Sequence, residues 1–140
     1  MSGPPPPPLD GLVVHGDGRG RGLGFPTANL ALGSEPLPED GIYAAWARID
    51  EEQRLREATV SVGANPTFRG GRARRVEVHL HDADVDLYGR RLSVALVARL
   101  RPTVCFDTVD DLVAQTAADV ARSRTVLAER GRPALGGAPG

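Results

Sequence analysis

Apolar and polar side chains alternate along most of this chain, and that period of two predicts a mainly β protein. Ala58, Val60 and Val62 alternate with Thr59 and Ser61. Val76, Val78 and Leu80 alternate with Glu77, His79 and His81. Leu92, Val94, Leu96, Ala98 and Leu100 alternate with Ser93, Ala95, Val97 and Arg99. Successive side chains of a strand point to opposite faces, so each run predicts a strand buried on one side. Leu12-Val13-Val14 and the run from Ile42 to Ile49 add two more strands, the second with bulk from Tyr43 and Trp46. The period changes after Thr108. Val109, Leu112, Val113, Thr116, Val120 and Leu127 recur at helical spacing. Thr108 with Asp111 three residues on has the form of a capping box, and Gly131 and Pro133 stop the helix. Strands that follow one another without intervening helices predict an antiparallel sheet. About five or six of them, curled into a small barrel with the helix outside or capping it, is the expected architecture.

The breaks between these runs divide the chain. Pro4 to Pro8 form an unbroken proline run that favours polyproline II and cannot pair into a sheet. Residues 1–10 are therefore expected to be a tail or linker, 11–130 one domain, and 131–140 a disordered Gly/Pro/Ala tail. Pro36 and Pro38 mark a loop, Asp50 to Arg56 a charged turn, Gly63 to Thr67 a break, and Asp82 to Asp86 an acidic loop.

Composition narrows the function classes. At 140 residues the chain has room for one domain with a real core. Aromatics make up 4%, so that core must come from Val, Leu and Ala. The formal net charge of −1 gives no global polyanion-binding surface. Every basic side chain is arginine, which excludes a lysine-containing P-loop. The single cysteine, Cys105, excludes an intramolecular disulfide and reads as structural. Neither a signal peptide nor a long apolar run is present, so the cytoplasm is the expected compartment and no membrane partner is expected.

Candidate chemistry gathers in two stretches. In the first, Gly16, Gly18, Gly20, Gly22 and Gly24 fall on every second residue, with Arg19 and Arg21 between them, before Pro26-Thr27-Ala28-Asn29. Glycines let a backbone approach a ligand, its N–H groups can cradle an anion, and arginine forks suit phosphate. A nucleotide-phosphate loop and a flexible surface loop both fit this composition. Thr27 and Asn29 offer two neutral oxygens, enough for a hard cation whose charge is met by phosphates, or enough simply to brace a turn. In the second stretch, Glu77 sits mid-strand on the face shared with His79 and His81. A carboxylate on a rigid strand can take a proton from a hydroxyl, and an ordinary solvent-facing glutamate looks the same. His79 and His81, with His15 or Asp82, also admit a transition-metal reading. Arg72, Arg74 and Arg75 form a basic cluster with only Phe68 near for base stacking, so a nucleic-acid partner is not expected.

Taken in order, these stretches resemble bacterial riboflavin kinases. The resemblance lies in Gly-Asp-Gly-Arg-Gly-Arg-Gly-Leu-Gly-Phe-Pro-Thr-Ala-Asn, Gly41-Ile42-Tyr43, and Ser61-Val62-Gly63-Ala64-Asn65-Pro66-Thr67-Phe68. It continues through Val76-Glu77-Val78-His79-Leu80, Asp86-Leu87-Tyr88-Gly89, Leu100-Arg101-Pro102, Phe106-Asp107, and Leu112-Val113-Ala114-Gln115 with Asp119. It covers Gly11 to Ala128. It implies a six-stranded antiparallel Greek-key β-barrel with a C-terminal helix. It also implies transfer of the ATP γ-phosphate to the ribityl 5′-hydroxyl of riboflavin, giving FMN and ADP. Glu77 would be the catalytic base. Thr27 and Asn29 would hold a magnesium ion and the phosphates. Gly16, Gly18, Arg21, Gly24, Asp82 and Tyr88 would contact ATP, and Arg101, Val104 and Phe106 would lie along the flavin. Three positions depart from the pattern: Ala83 where relatives often carry Phe, Cys105 near a usual basic residue, and His81 at a usual apolar one. The alternative from another class is a flavin-binding barrel without chemistry, and a third is an Arg-rich barrel for single-stranded nucleic acid. In most bacteria this module follows an FMN adenylyltransferase domain. The chain has no room for one, so it is not expected to make FAD, and a separate adenylyltransferase is a candidate partner; a monomer is expected.

Overall fold

A computed structural model describes residues 8–14, 27–32, 37–64, 74–81, 87–104 and 106–131. Six strands form a closed barrel: β1 (Leu9–Val14), β2 (Ala28–Ala31), β3 (Gly41–Ile49), β4 (Arg56–Ala64), β5 (Arg74–Leu80) and β6 (Arg91–Arg101). One helix, α1 (Val109–Arg130), follows. Every pairing is antiparallel, in the circular order β1-β2-β5-β4-β3-β6. Within it β3, β4 and β5 are consecutive neighbours, and β6 returns to lie beside β3. That is the Greek-key arrangement expected for the chain.

The barrel interior follows from the alternation. Val13, Ala28, Leu30, Val60, Val62, Val76, Val78, Leu92, Val94 and Leu96 fill it. Small and β-branched side chains suffice because a six-stranded barrel has a narrow lumen. A second apolar cluster, Ala44, Trp46, Leu100 and Leu127, sits between barrel and helix. The helix packs chiefly over β3, β4 and β6. Trp46 Nε1 ties the far end down by donating to the Gly131 carbonyl at 3.0 Å. The predicted caps are in place. Thr108 accepts from the Asp111 N–H at 3.1 Å, and Gly131 adopts φ 73° with its N–H on the Leu127 carbonyl.

The structure departs from the sequence expectations in five places. The strand Ala28–Ala31 was not expected; its small alanines and central Asn29 mask a real alternation, in which Ala28 and Leu30 are buried. β1 begins at Leu9, inside the stretch expected as a tail, because Leu9 pairs with Val94 and is buried. Leu100 leaves the interior face: pairing between β3 and β6 shifts register at Ile42/Tyr43 and Ala44/Ala45, and such bulges re-aim side chains. The helix buries Asp119, Ser123 and Leu127, whereas Val109, counted on its apolar face, is exposed. His81 stays beside His79 on the outer face, their rings 5.7 Å apart, but it is covered there by Thr59 and Glu57 rather than open to solvent. It lies just past the end of β5, its N–H bonds the Glu57 carbonyl at 2.9 Å, and its side chain is buried.

Candidate active site

The sheet register aligns the candidate residues in one row. Val14 on β1 is the partner of Asn29 on β2, and Asn29 is the partner of Glu77 on β5. Glu77 is the partner of Ser61 on β4, Ser61 of Ile42 on β3, and Ile42 of Arg101 on β6. The row thus runs Val14, Asn29, Glu77, Ser61, Ile42, Arg101 around the wall. None of the six is among the buried residues, whereas Ala28, Leu30, Val76 and Val78 beside Asn29 and Glu77 are. The row therefore lies on the outer surface. Directly opposed residues bring their Cβ atoms to about 5 Å. Glu77 consequently has Asn29 on one neighbouring strand and Ser61 on the other.

This donor set suits a hard cation with phosphates. Asn29 and the exposed Thr27 just before β2 supply neutral side-chain oxygens next to one carboxylate. Magnesium takes few protein oxygens when phosphates complete its shell. The alternative reading of a transition metal on His79 and His81 fails on geometry. The rings are 5.7 Å apart, but both His81 nitrogens face protein partners: Nε2 lies 2.6 Å from Thr59 Oγ1 and Nδ1 3.4 Å from Glu57 Oε1. Among the described residues no group of three or more His, Cys, Asp or Glu could hold a metal.

Tyr88 stands near one end of the row. Residues 87–90 form a turn closed by Arg90 N–H on the Leu87 carbonyl at 2.9 Å, and Gly89 at φ 81° supplies the left-handed residue that a type II turn needs. Gly89 N–H donates to the Val13 carbonyl at 3.0 Å, and Val13 N–H to the Arg90 carbonyl at 2.8 Å. The exposed Tyr88 is thereby fixed beside the end of β1, one strand from Asn29. Gly16, Gly18, Arg21, Gly24 and Asp82, the other expected nucleotide contacts, lie outside the described residues, as do His15, Ala83 and Cys105.

At the opposite end, Arg101 meets Phe106: the guanidinium carbon is 5.9 Å from the ring centroid, within cation–π range. Val104 is exposed between them in sequence. The segment after Arg101 also borders β4, where a Cβ added at Gly63 would stand 3.5 Å from Thr103 Cγ2. Gly63 is two residues from Ser61, so the expected flavin segment borders the strand opposite Glu77. The row from Glu77 to Arg101 crosses three strand spacings, about 14 Å along the wall.

The structure adds residues to which the sequence assigned no role. Ser61 was part of a motif, and only pairing register reveals that it faces Glu77. Asp119 and Gln115 gather around Arg101, which strand periodicity could not show because they come from the helix.

Three comparisons bear on this site. The family profile described as "Flavokinase: Riboflavin kinase" matches residues 4–127. The bifunctional riboflavin kinase/FMN adenylyltransferase of Escherichia coli (strain K12) is 40% identical over 116 residues, covering 83% of this chain and 36% of that protein. The chain thus spans about a third of the length of the curated relatives it matches. A solved structure described as a macrolide-efflux protein from Streptococcus pneumoniae aligns with TM-score 0.74 at 41% identity, over 84% of this chain and 38% of that one. The riboflavin kinase of Trypanosoma brucei aligns with TM-score 0.66 at 24% identity, over 88% of this chain and 80% of that one, and shares the fold. A profile match across nearly the whole barrel and helix, with Asn29 and Glu77 adjacent on its wall, places this chain in the riboflavin kinase family.

Proposed function

We propose that this protein transfers the γ-phosphoryl group of ATP to the 5′-hydroxyl of the ribityl chain of riboflavin, giving FMN and ADP. The observation that carries the reading is the register row, in which Glu77 has Asn29 on one neighbouring strand and Ser61 on the other. Phosphoryl transfer asks mainly for positioning and neutralisation of charge. Glu77 accepts the proton of the attacking hydroxyl and orients that oxygen in line. Asn29 and Thr27 hold the triphosphate end on the adjacent strand, where magnesium bound by the same oxygens would neutralise phosphate charge. Tyr88 lies towards the nucleotide. Phe106 and Val104, at the Arg101 end of the row, receive the flavin ring, so the ribityl chain runs along the wall to Glu77. The rigid strands beneath these groups keep them in register through the reaction.

The partners in this reading are small molecules: riboflavin and ATP as substrates, FMN and ADP as products. A monomer acting in the cytoplasm suffices for the chemistry. No helix among the described residues is long and apolar enough to cross a membrane. The test is incubation with riboflavin, ATP and magnesium, with flavins separated by chromatography. Formation of FMN with one ADP per FMN supports the proposal. Riboflavin binding without FMN identifies a flavin-binding barrel without chemistry and refutes the kinase reading.

A further inference from the structure

Arg101 makes much of its bonding inside the protein. Its Nε and Nη2 donate to Asp119 Oδ1 and Oδ2 at 2.9 and 2.7 Å, and its Nη1 donates to the Pro102 carbonyl at 2.9 Å. The two-pronged contact fixes both the position and the plane of the guanidinium. Asp119 is 6% exposed, although aspartate is among the residues least often buried. Gln115 Nε2, one helical turn earlier, donates to the same Oδ1 at 3.0 Å. A buried ion pair is a poor source of net stability, because desolvation offsets the attraction. Its distinct effect here is geometric: the Arg101 fork is held from the helix, and Phe106 rests within reach of its face.

We propose that Asp119, supported by Gln115, is a positioning residue for the flavin ring: it locks the Arg101 plane and so sets the Phe106 surface on which the flat tricyclic ring lies. The inference rests on the riboflavin kinase reading above. Asp119 touches no substrate itself. It acts on the ring end of the substrate through Arg101 and Phe106, three strands along the row from Glu77. Loss of the lock therefore weakens riboflavin binding and leaves the nucleotide end unchanged.

The test uses the full chain with two substitutions, Asp119→Asn and Gln115→Ala. Riboflavin binding is followed by flavin fluorescence without nucleotide, and the KM values for riboflavin and ATP are measured with kcat. Asp119→Asn is expected to raise the riboflavin Kd and KM on the order of tenfold. ATP KM and kcat at saturating riboflavin stay within about twofold, because Asn29 and Glu77 keep their own strands. Gln115→Ala removes one bond to Asp119 and is expected to shift riboflavin binding the same way by about threefold. If Asp119→Asn does not fold, Gln115→Ala decides alone. Riboflavin affinity within about twofold of wild type overturns the inference, even if the melting temperature drops, since Asp119 is then only a structural tie. Parallel rises in riboflavin and ATP KM overturn it as well. A wild-type protein that neither binds nor phosphorylates riboflavin refutes the function on which the inference rests, which is a different result from unchanged binding in the variants.

Discussion

Replacing Thr59 with Val tests the polar chain that joins the barrel wall to the helix. The Thr59 hydroxyl donates to Ser123 Oγ at 2.9 Å, and its oxygen lies 2.6 Å from His81 Nε2. Thr59, Ser123 and His81 are 8%, 0% and 6% exposed, so water cannot replace a lost bond. Valine keeps the shape but orphans two buried polar groups. Each orphan costs about 1–3 kcal/mol. After the small gain from burying a methyl in place of a hydroxyl, the net loss is about 1–5 kcal/mol. In a domain of this size, that lowers the melting temperature on the order of 10 °C. The variant combining Thr59→Val, Ser123→Ala and His81→Leu removes all three partners together. It leaves only Glu57, which still pairs with Arg124 at 3.6 Å. Replacing all members of a buried polar set with apolar groups can be close to neutral. The triple variant is therefore expected to recover at least half of the single variant's loss. Urea denaturation followed by the fluorescence of Trp46 measures both. A Thr59→Val loss below about 0.5 kcal/mol, or a triple variant as destabilised as the summed single changes, refutes the reasoning.

Two further outcomes follow from the same structure. Burial holds the His81 imidazole below the ordinary histidine value of 6.5, outweighing its hydrogen bond to Glu57, while Arg124 and His79 also oppose its charge. The unfolded chain then takes up a proton that the folded protein resists, so this contribution to stability is full above pH 6.5 and is lost as pH falls below it. Melting temperatures from pH 8 to 5 should fall more steeply in wild type than in His81→Leu, and equal slopes contradict the assignment. At the site, Asn29→Ala should reduce kcat on the order of 10²-fold while riboflavin binding without nucleotide stays within about twofold. A loss of riboflavin affinity instead would move Asn29 to the flavin end of the row.

Much of the fold was legible because a barrel imposes a strict period of two on its wall. Val76, Val78 and Leu80 could be assigned to the interior from alternation alone, and Thr108 and Gly131 marked the helix ends through their capping chemistry. β2 was not legible: four residues with two alanines carry little hydrophobic contrast, and what defines the strand is its pairing with β1 and β5. Glu77 and Asn29 were legible as candidates. Their adjacency was not, since it depends on a pairing between strands that are far apart in sequence. The helix hid its principal residues for a related reason. Asp119 and Ser123 are polar, so a search for an apolar stripe passes over them, yet each is buried against a partner supplied by the barrel. His81 kept the outer face that alternation assigned to it; its burial was not legible, because that depends on Thr59 of the neighbouring strand and on Ser123 of the helix behind it.

The proposed activity rests on the Glu77 carboxylate of this outer wall as the base for phosphoryl transfer to riboflavin. The most direct measurement compares the rate of FMN formation by wild type and Glu77→Gln at saturating riboflavin, ATP and magnesium, with riboflavin binding measured alongside. Wild type is expected to form FMN, and Glu77→Gln to bind riboflavin still but turn over about 10²–10⁴-fold more slowly. No FMN from wild type, or a Glu77→Gln rate within about twofold of it, would contradict the account.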